Sequence, residues 1–356
     1  LPFEGNVFLF AVSHLETFNH SVMKNIYKIL VLGCFLVTYH VQAKVITVSN
    51  REGDIAQHST LGSALSEAED GDIIYVSGSE HSYGDQNVSR RVTLVGSGHN
   101  PDNDNRFIST IENLHFLEGS AGSVVIGFRI RQILANNQKG MIIKQNNIFG
   151  SGIELFENSS EWIIKENIVW SIEGTSNPTF EQKHIITNNI ILGFATSIYH
   201  SLFENNVFTS IQGTLFSVAR CDFNNNIFYR NGLNSAFIFD RVANCRFFNN
   251  IIFGPNNPTS LPTVSGNTGQ DNIFADPMFV AVEGNSFSYS DDYRLQPGSP
   301  GLGGGTLGSE IGLFGGQGFS LTGEPAIPQV SMFKILNPIV PQNGQLNVRI
   351  EGRANK

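Results

Sequence analysis

Apolar residues in the middle of the chain come in runs too short for helices, separated by Asn, Gly and Ser. From Met141 to Phe274 one phrase returns: Gln-Asn-Asn147-Ile-Phe, Lys-Glu-Asn167-Ile-Val, Thr-Asn-Asn189-Ile-Ile, Glu-Asn-Asn206-Val-Phe, Asn-Asn-Asn226-Ile-Phe, Phe-Asn-Asn250-Ile-Ile and Gln-Asp-Asn272-Ile-Phe. Successive Asn positions are 20, 22, 17, 20, 24 and 22 residues apart. A repeat of that period marks a solenoid. The position after each Asn is apolar throughout: Ile148, Ile168, Ile190, Val207, Ile227, Ile251 and Ile273. Three before it, Ile164, Ile186, Phe203, Phe223 and Phe247 are apolar, and the column breaks only at its ends, Lys144 and Gly269. Short runs of Ile, Val and Phe between turn residues predict strands. A helical repeat would need period 3.6 over at least ~10 residues, and a leucine-rich repeat would use Leu where this chain uses Ile and Phe.

The Asn column has a physical reading of its own. Stacked coils lie about 4.8 Å apart. Identical Asn side chains at that spacing bond to each other and to turn backbone, and Asn accepts left-handed turn geometry. A ladder of Asn147, Asn167, Asn189, Asn206, Asn226, Asn250 and Asn272 is therefore expected, its interior members pointing inward.

With Val92-Thr-Leu-Val-Gly-Ser-Gly98, Ser123-Val-Val-Ile-Gly-Phe-Arg129, Asp276-Pro-Met-Phe279, Tyr293-Arg-Leu-Gln-Pro-Gly-Ser-Pro300 and Ile311-Gly-Leu-Phe-Gly315, these repeats resemble the right-handed parallel β-helix proteins of the pectate-lyase-like fold, secreted bacterial members in particular. The resemblance covers about residues 44–316. It implies an all-β solenoid and leaves the reaction open.

Along the chain, residues 1–22 carry no β-helix phrase and read as an upstream segment outside the mature protein. Residues 23–43 read as a secretory signal peptide: Lys24 and Lys28, an apolar run Ile29–Val37, then Val41-Gln-Ala43. A lipoprotein signal would instead need Cys34, after a Leu32 bulkier than such signals favour. The expected location is thus extracellular or at the cell surface. Leu61, Ala64, Leu65 and Ala68 fall at helical spacing behind a Ser or Thr N-cap, and this short helix is expected to close the open end of the solenoid. Gly301–Gly305 and Gly315–Gly318 read as flexible closing turns. Residues 325–356 read as a C-terminal β-hairpin or cap, or the beginning of a sandwich module.

Composition narrows the partners. Charged residues make up 15% of the chain, against about 25% in an ordinary domain. The net charge of −9 survives removal of residues 1–43 and argues against bulk attraction to nucleic acid or anionic membrane. Cys221 and Cys245 both lie five residues before their Asn and should stack on neighbouring coils, as a disulfide or as two buried thiols.

Candidate chemistry is sparse. A lyase needs a base and a neutraliser for the uronate carboxylate, such as Arg, Lys or Ca²⁺; a hydrolase needs two carboxylates about 5–10 Å apart. Lys183, Arg220 and Arg241 precede the Asn runs and are expected to stack into a row for an anionic sugar, or to be solvated corner charges. Asp222 and Arg246 sit on one outward column and read as further candidate ligand-binding residues or as a surface ion pair. His184 shares the Cys221/Cys245 column and is expected in the core, as are the aromatics Trp162, Trp170, Tyr199 and Tyr229. The polar stretch Gly98–Arg106 reads as a solvated turn, lacking the central Gly and closing Glu of an EF-hand. The paired-Asp, Gly-His-Gly and Arg-Ile-Lys signatures of polygalacturonases and an acidic Ca²⁺ cluster are not found, so no catalytic residue carries over. The expectation is a β-helix that binds a polysaccharide or cell-surface glycan without catalysis or cofactor. The alternative is a divergent lyase or hydrolase of a uronate polymer, with Ca²⁺ if a lyase.

Overall fold

A computed structural model describes residues 43–356 apart from 103–106, 178, 210–214, 231–238, 255–260, 262–264, 284–285, 327, 338, 355 and 356. The expected upstream segment, and the expected signal peptide apart from its last residue, lie outside the described residues. The chain is a right-handed parallel β-helix. One sheet of 11 strands runs from Val45–Val48 through Ile142–Lys144, Ile163–Lys165, Ile185–Thr187, Leu202–Glu204, Asp222–Asn224 and Arg246–Phe248 to Thr268–Gln270. A second sheet, of 13 strands, carries the other walls of each coil. Every neighbouring pair in the first sheet is parallel and in register, for example Ile164 with Ile186, Phe203 with Ile186, and Phe223 with Phe247.

The three-residue strands of the first sheet put their middle residue inside. Ile143, Ile164, Ile186, Phe203, Phe223 and Phe247 are all buried. The last three rings stack face to face with centroids 4.6 and 4.8 Å apart, and Phe208 stacks on Phe228 at 4.8 Å. Coil spacing thus coincides with ring-stacking distance, so an aromatic column fills the core without gaps. The helix α1 (Leu61–Glu67) buries Leu61, Ala64 and Leu65, and its N-cap Thr60 accepts a hydrogen bond from the Ser63 amide at 3.2 Å. Residues Pro328–Ile335 and Val348–Ala354 pair as an antiparallel hairpin. Among the described residues no helix is long and apolar enough to cross a membrane.

The Asn ladder starts one residue earlier than the sequence phrase implied. Asn146, not Asn147, donates to Asn167 Oδ1 at 3.1 Å, and Asn167, Asn189, Asn206, Asn226 and Asn250 each donate to the next, ending at Asn272, over 2.9–3.0 Å. Each Nδ2 also donates to a carbonyl of the preceding coil, as Asn206 does to Ile186 O at 2.8 Å. Asn147 pairs in register with Ile168 and faces outward; the doublet Asn146-Asn147 hid a one-residue offset. The other doublets use their first Asn differently. Asn188, Asn205, Asn225 and Asn249 hold left-handed φ of 53–55° on the outside of the turn. Asn188 Nδ2 donates to Leu313 O and Gly315 O at 2.9 and 2.7 Å, and Asn249 Nδ2 donates to Gly304 O at 3.2 Å. Asn225 Oδ1 accepts from the Thr306 amide at 3.0 Å.

Those bonds hold a strap. After the last coil the chain turns back and lies along the outer wall, burying Ile168, Ile190, Val207, Ile227 and Ile251 under Phe279, Tyr293, Ile311 and Leu313. Gly312 has φ +95°, and a Cβ there would meet Ile227 Cδ1 at 2.4 Å; only Gly lets the strap seat so closely. The strap ends beside the early coils, where Thr322 O accepts from the His99 amide at 3.3 Å.

Candidate functional site

Each coil has a second sharp turn on the far side of the first sheet. Strands pair Ile163 with Ile185, Ile185 with Leu202, Leu202 with Asp222, and Asp222 with Arg246. Counting back two residues stacks Glu161, Lys183, His200, Arg220 and Asn244, and all five hold left-handed φ between 53° and 60°. That backbone turns the side chain outward and the next residue inward. The inward column runs Trp162, His184, Ser201, Cys221, Cys245 and Asn267, and all six are buried.

The inward column works like the Asn ladder with mixed residues. The Trp162 amide donates to His184 Nδ1 at 3.2 Å, the His184 amide to Ser201 Oγ at 3.0 Å, the Ser201 amide to Cys221 Sγ at 3.4 Å, and the Cys245 amide to Asn267 Oδ1 at 2.9 Å. Each coil thus supplies one side-chain acceptor to the coil before it, as turn amides require. Burial holds His184 neutral, its pKa depressed to about 3, and its Nε2 has no hydrogen-bond partner. Cys221 and Cys245 are free thiols, and burial pushes the Cys221 thiol well up. The hydrogen bond with Cys221 lowers the Cys245 thiol, and both sulfurs lie inside the coil.

The outward column forms the candidate site. Lys183, His200 and Arg220, with Glu181 and Asp222, line a shallow groove of about 380 Å³ across the corner. Lys183 Nζ lies 2.8 Å from Glu181 Oε2, which raises the lysine and lowers the glutamate pKa through their hydrogen bond. Asp222 and Arg246 make a two-pronged ion pair at the groove's edge, which raises the arginine further.

Arg241 does not belong to this row. Phe216 pairs with both Thr196 and Asp240, so Arg241 stacks with Ser217 and Ser197 at an earlier bend and bonds its neighbour Asp240 at 3.2 Å. The charged row expected from sequence is therefore Lys183 and Arg220, with His200 between them and Asn244 where Arg241 was placed. His200 was missed because it precedes Ser201, which hides the inward column of His and Cys. Trp162 fills the core as expected and Tyr199 is buried, but Tyr229 is buried on the outer wall under the strap, and Trp170, half-buried on that wall, lines a second cavity with Asn147. Of the polar stretch Gly98–Arg106, residues 103–106 lie outside the described residues, and His99 is fully buried beneath the strap rather than solvated.

Fold and site together define a parallel β-helix with a charged corner. No family model, curated protein or solved structure matches the chain.

Proposed function

We propose that this protein is a secreted or surface β-helix that binds an acidic polysaccharide along its corner row and does not cleave it. The observation that carries the reading is the stacking of Lys183, His200 and Arg220 on three successive coils beside one groove. Their spacing is set by the coil repeat of about 4.8 Å, so donors recur along a line, as a polymer with repeating anionic groups requires. Many weak contacts on one chain add through effective concentration. The exposed Lys183–Glu181 pair contributes little to stability and exchanges readily for a ligand carboxylate. The overall charge of −9 confines attraction to this local row and disfavours nucleic acid.

The test is a titration of the protein with polygalacturonate and with a neutral glucan, alongside assays for reducing ends and ultraviolet-absorbing unsaturated ends, with and without Ca²⁺. Saturable, salt-sensitive binding of the acidic polymer without new chain ends is expected. Shortening of the polymer, or undiminished binding by a Lys183→Ala/Arg220→Ala variant, contradicts it.

A second reading, hydrolysis, is favoured by one observation. Glu154 and Glu173 are register partners on adjacent strands of the outer face, and burial, with Glu154 contributing, raises the Glu173 pKa. Two carboxylates on adjacent strands, one with a raised pKa, are the residue types that a glycosidase pairs across the scissile bond. Under this reading reducing ends form and vanish in Glu173→Gln.

A further inference from the structure

The outer column covered by the strap is apolar from Ile168 through Ile190, Val207 and Ile227 to Ile251. At its early end the same column turns polar: Asn147 and Arg129 are the register partners that precede Ile168. There the strap leaves the wall, and a cavity of about 560 Å³ opens between wall and strap. Phe149 and Trp170 form its floor, Phe287 and Tyr289 its roof. Its volume falls in the range of small-molecule sites.

Two sets of polar groups border the cavity, one tying its roof to the wall and one carrying charge. Tyr289 is locked in place: its hydroxyl donates to His99 O and accepts from Asn147 Nδ2, both at 2.7 Å, with His99 Nδ1 at 3.0 Å. The Arg129 guanidinium carbon sits over the Phe149 ring, 3.7 Å from its centroid. Among the described residues no carboxylate stands within ion-pair distance of it. A half-buried guanidinium over an aromatic face, with no carboxylate partner among the described residues, suits a ligand that brings the anion. An Ile at position 129 or 147 would have continued the apolar stripe; the chain departs from its own repeat at the two positions that border the cavity.

We infer that this cavity binds a single six-membered ring carrying one carboxylate, the acid on Arg129 and the ring face on Trp170. The inference rests on the acidic-glycan reading above for the form of the ligand, a uronate sugar at a chain end, and adds a second, end-recognising site to the corner row.

Intrinsic fluorescence of the full chain tests it, because Trp170 lines the cavity while Trp162 is buried in the core. Three probes are titrated: glucuronate, glucose, and cyclohexanecarboxylate. A saturable change with glucuronate and none with glucose is expected, weakened at least tenfold in Arg129→Gln at an unchanged unfolding midpoint. Arg129→Lys, which keeps the charge but not the planar guanidinium, should fall between, and provides a readout if the Gln variant is unstable. Equal binding of cyclohexanecarboxylate upholds the ring-acid site and assigns its ligand to apolar acids rather than sugars. No response to either acid, or a response indifferent to Arg129, overturns the inference. Glucuronate binding that survives Lys183→Ala/Arg220→Ala shows the cavity acting by itself. Polymer binding without any glucuronate response removes the cavity alone, and loss of both removes the glycan reading as well.

Discussion

The two sharp turns of each coil share one backbone device and put it to different use. At both, a residue with left-handed φ is followed by one that points inward and accepts an amide from the preceding coil. At the Asn turn the inside and the outside are both occupied: Asn206 and its partners form the ladder, while Asn188, Asn225 and Asn249 bind the strap. At the opposite turn Trp, His, Ser, Cys and Asn serve on the inside in succession, and the outside faces a groove rather than the strap. Its outside carries Lys183, His200 and Arg220 against solvent. A turn constrained on both faces must repeat its residues; a turn constrained on one face is free to carry function on the other.

The largest expected contrast is in acid. His184 belongs to the mixed turn, and burial depresses its pKa to about 3, against about 6.5 in an unfolded chain. The unfolded state then binds the extra proton, so the stabilisation is complete above about pH 6.5 and is lost as pH falls toward about 3. His99, buried under the strap with a pKa also depressed to about 3, adds the same sign. His184→Asn keeps a side-chain acceptor for the Trp162 amide and removes the titration. Its unfolding midpoint should fall less steeply between pH 7 and pH 4 than that of the parent; an identical slope would show that His184 does not couple folding to protons.

Next in size is the ladder. Asn206→Leu leaves donors of neighbouring coils unpaired and should cost about 1–3 kcal/mol in denaturant unfolding. Asn146→Ala should cost more than Asn147→Ala, since only Asn146 bonds within the ladder; the reverse order would put the offset in the wrong place. Asn188→Ala removes two bonds to strap carbonyls and should cost about 1 kcal/mol, read equally well as faster proteolysis within residues 306–322. Smallest of all, Lys183→Ala should leave the unfolding midpoint unchanged, as the loss of an exposed ion pair does. A lowered midpoint would place the corner row among the structural elements.

These contrasts also explain what the sequence made legible. The Asn turn repeats because both faces constrain it, so the solenoid and its period could be read directly. The doublets were visible, but not that their first Asn serves the strap, because the strap residues they bind lie far along the chain and do not repeat. The offset at Asn146-Asn147 escaped for the same reason that it matters: Asn147 mimics the ladder residue while occupying an Ile position. At the mixed turn, chemically unlike residues in one column concealed the register, and Arg241 was set in a row to which Asn244 belongs. The cavity beside Trp170 depends on Phe287 and Tyr289, more than a hundred residues from the wall they cover, and no local pattern announces such a pairing.

The account's central claim is that the corner row is a binding surface and the Asn turn is not. Calorimetric titration of polygalacturonate at low salt into the parent, Lys183→Ala/Arg220→Ala and Asn226→Ala, each below its unfolding midpoint, tests this most directly. At least tenfold weaker binding by the double variant at an unchanged midpoint, with parental affinity in Asn226→Ala despite a lowered midpoint, is the predicted result. Parental affinity in the double variant would contradict it.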